Sequence, residues 1–323
     1  MKVLVTGGAG YIGSHAVREL ARAGHEPVIY DNLSTGYREF TRGFEFIEGG
    51  LEDTETLARA LRGAEAIMHF AAFIEAGESV ANPRKYFRNN FEGSIHLLEA
   101  ASNAGVHRFI FSSTAAVYGI PETTPIPETA RLQPINPYGA SKLAVEYALD
   151  AFRIARGLSF VSLRYFNAAG ADSSGEIGES HQPESHLIPN ALAAAVGSRP
   201  ALAIFGNDYP TPDGTCIRDY IHVSDLAQAH VLALDYLSGG GDFRALNLGT
   251  GRGYSVLEIV KAAEHITRRK LPATIEPRRL GDSPVLLADA SEAHRVLGWK
   301  PFHSLDDMIG SAWRWHQMKQ PKK

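Results

Sequence analysis

Tyr138 and Lys142, four residues apart in NPYGASK, place a phenol and an amine on what reads as one face of a helix. A free phenol ionises at about pH 10, so it acts as a base at neutral pH only where a nearby cation favours phenolate. Lys142 can supply that charge and can also reach the ribose of a nicotinamide. Tyr and Lys at this spacing are common on solvent-facing helices, and a third element is needed to give them meaning. RFIFSSTAAVYG provides it: Ser112, Ser113 and Thr114 fall at the carboxyl end of an apolar strand, where open α/β sheets bind their ligands. Thr114 is placed to hydrogen-bond a substrate hydroxyl.

Gly7, Gly10 and Gly13 follow the apolar run KVLVT with the spacing G-x-x-G-x-x-G and lead into a helix. Glycine permits positive φ, the missing Cβ lets the backbone approach a pyrophosphate, and the free N–H groups at the helix start favour negative charge. Tyr11 and Ile12 lie at that approach. Asp31 ends the next strand about twenty residues on, where a carboxylate accepts hydrogen bonds from both ribose hydroxyls and repels a 2′-phosphate. NAD is therefore expected rather than NADP. A glycine turn and a capping aspartate without a ligand is the bland alternative.

The elements that must position these groups alternate. KVLVT, SHAVRELARAG and EPVIYD read as strand, helix, strand, and FEFIEGG, AIMHFAA, RFIFSST and SFVSLRYFN continue the series with helices between them. This is the order of a doubly wound parallel sheet, a Rossmann-type α/β fold. Beyond about Asn167 the texture turns loop-rich, with helices expected at Leu187 to Ala195 and Tyr254 to Ile266. HVSDLAQAHVLALDYL and ALNLGTG then read as helix and strand again. We therefore expect a cofactor domain over 1–167 with a return segment at about 221–250, and a smaller α/β substrate domain over 168–323.

The 323 residues suit such a division, since single cores stop growing near roughly 250 to 300 residues. The net charge of -4 comes from basic and acidic residues spread along the chain, so neither nucleic acid nor a membrane surface is expected as a partner. The single cysteine, Cys216, excludes an intrachain disulfide framework and suits a reducing compartment. VLV is too short for a signal-peptide core, and no run approaches the roughly 20 apolar residues of a spanning helix. A soluble, cytoplasmic protein is expected. The 13 histidines include no evident metal set: His181 and His186 are five apart in a loop, and His222 lies at a strand edge.

TGGAGYIGSH, YDNLSTG, HFAA, GESV, Asn89 with Asn90, FSSTAAVYG, NPYGASK, LRYFNAAG, LAIFGNDYPTPDGTCIRDYIHV, NLGTG and PRRLGD together resemble the UDP-glucose 4-epimerase family of extended short-chain dehydrogenases/reductases. The resemblance spans nearly the whole chain, and the FGNDYPTPDGTCIRDYIHV segment is too long and unusual for a match at the level of fold alone. It implies an NAD that stays bound and is reduced and reoxidised in each cycle. Tyr138, assisted by Thr114 and Lys142, would take the proton of the sugar 4-hydroxyl while C4 is oxidised, and the keto sugar would turn to receive hydrogen on its other face. It also implies cofactor contacts from Asn32, Leu33, Ser34, Thr35 and Gly36, from Gly50 and Leu51, from Phe70, Ala71, Ala72 and Ile74, and from Asn89 and Phe166. Substrate contacts would come from Asn167, His186, Leu187, Phe205, Tyr220, Asp282 and Leu286. Arg218 and Arg279 would hold the diphosphate, where a guanidinium fork matches phosphate oxygens; surface ion pairing is their alternative role. The helices at Asn90 to Ala104 and Tyr138 to Arg156 would form a homodimer interface.

The chain departs from the better-known family pattern at several positions. Gly50 replaces an aspartate that bonds adenine, Ile74 replaces a lysine, and Thr114 replaces a serine while keeping its hydroxyl. His186 stands where some members have asparagine, and Leu286 where some have a tyrosine that narrows the pocket, so UDP-N-acetylhexosamines are a further expected substrate. Ala115 and Ala116 stand where related dehydratases and decarboxylases carry acidic residues, which disfavours those reactions. Epimerases of UDP-arabinose, UDP-xylose or a UDP-uronate need the same groups and stay open, as does a non-catalytic NAD sensor, although a sensor has no need of Thr114, Tyr138 and Lys142.

Overall fold

The structure, a computed structural model, describes residues 1–279 and 282–319. Strands β1 (Lys2–Thr6), β2 (Glu26–Asp31), β3 (Glu45–Glu48), β4 (Ala66–His69), β5 (Arg108–Thr114) and β6 (Ser159–Tyr165) are joined through helices α1 (Tyr11–Arg22), α2 (Thr54–Ala60), α3 (Ala76–Ala81), α4 (Pro83–Tyr86), α5 (Gly93–Ala104) and α6 (Pro137–Arg156). The chain continues through β7 (Asn167–Ala169), α7 (Leu187–Ala195), β8 (Leu202–Phe205) and β9 (Ile217–His222) to α8 (Val223–Ser238) and β10 (Arg244–Leu248). It ends with β11 (Gly253–Ser255), α9 (Val256–Thr267), β12 (Ala273–Glu276), β13 (Val285–Leu286), α10 (Ser291–Leu297) and α11 (Leu305–Lys319).

The principal sheet has seven parallel strands in the order β10-β6-β5-β4-β1-β2-β3. Successive residues of a strand face opposite sides, so each strand feeds two cores. Val3 and Val5 pack with Ile29, Met68 and Val161 beneath α1 and α8, whereas Leu4 packs with Val28, Ile67 and Phe109 beneath α2, α5 and α6. A sheet apolar on both faces is what a doubly wound fold requires. Its strand order reverses beside β1, which pairs with β2 on one side and β4 on the other. A crevice at the carboxyl ends follows from that reversal.

The smaller layer gathers β9 with β7, β11 and β13, and β8 with β12, around a third core built by α7, α9 and α11. The helix expected from Tyr254 starts instead at Val256, because Gly253–Ser255 pair with Ile217–Asp219 and Ser255 then caps α9 in a capping box with Glu258. The return to the principal sheet also runs further than 221–250. Ala293 and Trp299 pack into the β1 face of that sheet, and the Trp299 indole N–H donates to the Asp225 carbonyl at 2.9 Å. Among the described residues, no helix is long and apolar enough to cross a membrane.

Candidate active site

Local sequence places the phenol. Asn136 caps α6 by accepting the Gly139 N–H at 2.9 Å, and Pro137 begins the helix without needing a donor partner. Tyr138 thus lies in the first turn, and Lys142 one turn further along. A Cβ at Gly139 would stand 2.6 Å from the Ala116 carbonyl oxygen, so glycine there lets the helix close against the turn after β5. That turn is fixed by Thr114, whose Oγ1 accepts the Ala116 N–H at 3.1 Å. The phenol and the threonine hydroxyl therefore meet across one short contact between helix and strand.

Burial pushes the Tyr138 phenol up, the hydrogen bond from Thr114 opposes this, and Glu75 adds to it. Burial pulls the Lys142 ammonium down to about 7. Lys142 Nζ donates to the Ser112 carbonyl at 2.8 Å and lies 4.9 Å from the centre of the Phe111 ring. Two desolvated groups thus share the site, and the expected stabilisation of phenolate by Lys142 must overcome the cost of that desolvation. Ser112 is also hydrogen-bonded through its hydroxyl to Tyr165. Behind them, Glu146 accepts from Ser113 Oγ at 2.5 Å and from Arg164 Nη2 at 2.5 Å, which locks β5, β6 and α6 together.

The glycine turn is equally close-packed. Gly7 has φ +73°, and a Cβ there would stand 2.5 Å from the Ala71 nitrogen; one at Gly13 would stand 2.2 Å from the Gly7 carbonyl oxygen. Gly10, by contrast, meets only the Gly7 oxygen at 3.2 Å. Asp31 accepts the Ala9 N–H at 3.0 Å through Oδ2 and the Leu33 N–H at 2.8 Å through Oδ1. Burial raises its pKa, and these two bonds oppose the shift. Each carboxylate oxygen keeps a further lone pair for a ribose hydroxyl.

A cavity of about 1310 Å³ joins the two centres. It is lined by Gly7, Gly10, Tyr11, Ile12, Gly13, Asp31, Asn32, Leu33, Ser34, Thr35 and Gly36, by Gly50, Leu51, Phe70, Ala71, Ala72, Ile74 and Asn89, and by Thr114, Tyr138, Lys142 and Phe166. Asn167, His186, Arg218, Asp282 and Leu286 line it as well. The volume exceeds the roughly 300–1,000 Å³ of a pocket for one small molecule. The volume has room for more than one such ligand, and among its lining residues the glycine turn offers backbone N–H groups while Asp31 at the end of β2 offers a carboxylate.

Four expected substrate residues do not line this cavity. Leu187 and Tyr220 pack into the third core, and the Arg279 guanidinium stacks 3.8 Å over the Phe205 ring. Arg218 is held in place, donating to the Ser283 carbonyl at 2.8 Å and to Asp282 Oδ1 at 3.4 Å. At Gly50, the carbonyl accepts the Tyr30 hydroxyl at 2.6 Å, and a Cβ would meet the Glu52 carboxylate, so Tyr30 and Glu52 occupy the surroundings of the missing aspartate. Asn136 of NPYGASK and Tyr165 of LRYFNAAG also line the cavity, as do Tyr37, Phe73, Glu75, Glu179 and His181, which lie in none of the motifs quoted above.

Comparison with known proteins decides the family. The NAD dependent epimerase/dehydratase family matches residues 3–249. The chain belongs to that family. It is 52% identical over 316 residues to a UDP-glucose 4-epimerase of Rhizobium leguminosarum bv. trifolii, covering 97% of each chain. The solved UDP-glucose 4-epimerase of Brucella ovis, in complex with NAD, superposes with a TM-score of 0.95 at 49% identity, again over 97% of each chain. That of Stenotrophomonas maltophila, with NAD and formylated UDP-arabinopyranose, gives 0.95 at 45% identity over 98% of each. The epimerase fold and the dependence on NAD thus agree with the cavity's glycine turn and acidic strand end.

The fold also unites four residues of the loop before α7. Glu179, His181, Glu184 and His186 bring one ligand atom each to within 4.8 Å of one another, although the two histidines read as unlinked loop residues in the sequence. Burial works against the charged form of His181, but Glu179 and Glu184 outweigh it and raise the imidazole to about 9.

Proposed function

We propose that the chain interconverts UDP-galactose and UDP-glucose by transient oxidation of the sugar at C4. The observation that supports this best is that Tyr138 and Thr114, hydrogen-bonded to each other, line one cavity together with the glycine turn, Asp31 and Arg218. NAD, when bound, accepts the C4 hydrogen as hydride and returns it, so no net redox results.

Tyr138 takes the 4-hydroxyl proton and later gives it back. Thr114 shares that proton's path through its own hydroxyl, and Lys142 in its ammonium form favours the phenolate. Arg218 offers the diphosphate its positive charge and its remaining N–H groups, with Asp282 and Asn167 on the nucleotide side. Phe166 and Leu286 offer the hexose an apolar wall without fixed donors. A keto sugar can therefore rotate there while its nucleotide stays held.

Cofactor contacts are assigned to the fingerprint glycines, Asp31 to Gly36, Leu51, Phe70 to Ala72, Ile74 and Asn89. The division into cofactor and substrate regions at about residue 167, a homodimer through α5 and α6, and a cytoplasmic setting complete the reading. Leu286 leaves room for an N-acetyl group, so UDP-N-acetylglucosamine and its galacto epimer are second substrates.

Incubation of the purified chain with UDP-galactose, first alone and then with NAD, tests the proposal. Chromatography should resolve UDP-glucose at an equilibrium ratio without a stoichiometric rise in free NADH. Turnover that needs added NAD would point to weakened retention at Gly50. No turnover in either arm would overturn hexose epimerisation.

A further inference from the structure

The segment 179–186 lines the cavity where it faces Tyr11, whose ring centre lies 6.2 Å from that of His181. We propose that Glu179, His181, Glu184 and His186 form a binding site for one divalent cation of the zinc class, which fixes this loop over the glycine turn. Two imidazoles and two carboxylates are a donor set suited to zinc.

The distances are those of a site nearly assembled. His186 Nδ1 is 2.8 Å from Glu179 Oε1 and 3.1 Å from Glu184 Oε1, and His181 Nδ1 is 3.3 Å from Glu179 Oε1 and 3.7 Å from Glu184 Oε2. A tetrahedral ion with ligand bonds of 2.0–2.1 Å has ligand atoms about 3.4 Å apart, so small adjustments suffice. His181 Nδ1 is buried and meets only Glu179 and Glu184, at ion-pair distances, so this nitrogen and the two carboxylates converge on one point. Two carboxylates are packed close together here, the Glu179 side chain being 6% exposed and that of Glu184 20%. The two imidazoles balance these carboxylates as ion pairs, a role that a bound cation would take over.

The loop is also held in position before any ion arrives. The His186 N–H donates to Glu184 Oε1 at 2.9 Å, and the Trp315 indole donates to the Glu179 carbonyl at 2.8 Å. All four ligands come from one short loop beside Tyr11, and the charged neighbour of Tyr138 is Glu75, which is not one of them. The ion's role is therefore structural. It closes the loop on itself and holds it against α1, and it takes no part in chemistry at C4.

The test is binding of Zn²⁺ alone to the full chain after treatment with a chelator, read by competition with a chromophoric chelator and by metal analysis. About one equivalent per chain should bind, and the double substitution H181N/H186N should weaken it by about 100-fold or more, while H294N leaves it unchanged. Less than about a tenth of an equivalent under zinc excess, or undiminished binding by the double variant, overturns the site. If the double variant does not fold, anomalous diffraction of the wild-type protein at the zinc edge decides. A peak among these four side chains supports the site, and its absence there rejects it. These readouts do not depend on turnover of any sugar.

Discussion

Lys142 donates to the carbonyl of Ser112 at 2.8 Å, so the helix that bears the phenol is fastened by its own ammonium to the strand that bears Thr114. The phenol and the threonine hydroxyl are thereby held by two elements of regular structure, and not by a loop. Such support fixes the distance between base and hydroxyl as firmly as the sheet itself.

Tyr138→Phe should lower kcat for UDP-galactose by about 10²- to 10⁴-fold, the usual contribution of a positioned acid or base. Affinity for UDP should change little, since Arg218 and not the phenol is assigned to the diphosphate. Thr114→Val should cost about tenfold, the equivalent of one hydrogen bond. Steady-state kinetics with UDP titration by calorimetry separate these effects; an unimpaired Tyr138→Phe enzyme would remove the tyrosine from the mechanism.

Stability of the cofactor-free protein should report the lysine. Burial moves Lys142 from 10.5 to about 7, so between those values the unfolded chain carries a proton that the folded site lacks. The contribution of this group to stability therefore rises with pH across that window and is lowest below about 7. Lys142→Met removes the effect, and its gain in unfolding free energy over wild type should shrink steadily as pH rises. Denaturant titrations at about pH 6.5, 8 and 9.5 check this; a constant difference would refute it.

Asp31→Asn keeps the shape of the strand end but loses the negative charge. NAD affinity should fall by about tenfold or more, and discrimination against NADP should relax, because no carboxylate remains to repel its 2′-phosphate. Fluorescence or calorimetric titration with both dinucleotides measures the ratio.

Gly7→Ala and Gly24→Ala make an instructive pair. Both glycines have positive φ, +73° and +83°, yet only the first would drive a Cβ into a backbone, at 2.5 Å from the Ala71 nitrogen. Gly24→Ala should cost about 1 kcal/mol for left-handed backbone alone, and Gly7→Ala several times that. Thermal melts with and without NAD would also show whether the damage reaches the cofactor.

Leu286→Tyr should narrow the cavity. Activity on UDP-N-acetylglucosamine is expected to fall far more than activity on UDP-glucose, so the ratio of kcat/KM values is the quantity to follow. Equal losses on both sugars would show that this wall does not choose the substrate.

The legible parts of the molecule were those written in neighbouring residues. NPYGASK contains its own cap, helix start and close-approach glycine, and KVLVTGGAGYIGSH contains strand, turn and helix within one βαβ unit. Contacts made by tertiary folding were harder to read. Arg279 is a plausible phosphate ligand in the sequence, yet it spends its guanidinium on Phe205. Tyr220 looks like a cavity residue, but the third core takes its ring. Glu75 acquires meaning only when the fold sets it near Tyr138, and His181 and His186 only when their loop closes on Glu179 and Glu184. The recruitment of Trp299 to the principal sheet is likewise unmarked by any local pattern.

The seventh strand of the principal sheet arrives late in the chain. Strand β6 ends at Tyr165, and β10, which pairs along its outer side, begins only at Arg244. Until Arg244 to Leu248 have been synthesised, β6 presents an unpaired row of backbone donors and acceptors with buried-type residues on both faces, the condition under which strands associate with other chains. A polypeptide ending near Asn167 would keep that open edge permanently. The first half of the molecule therefore depends on the second to close the edge of its own sheet.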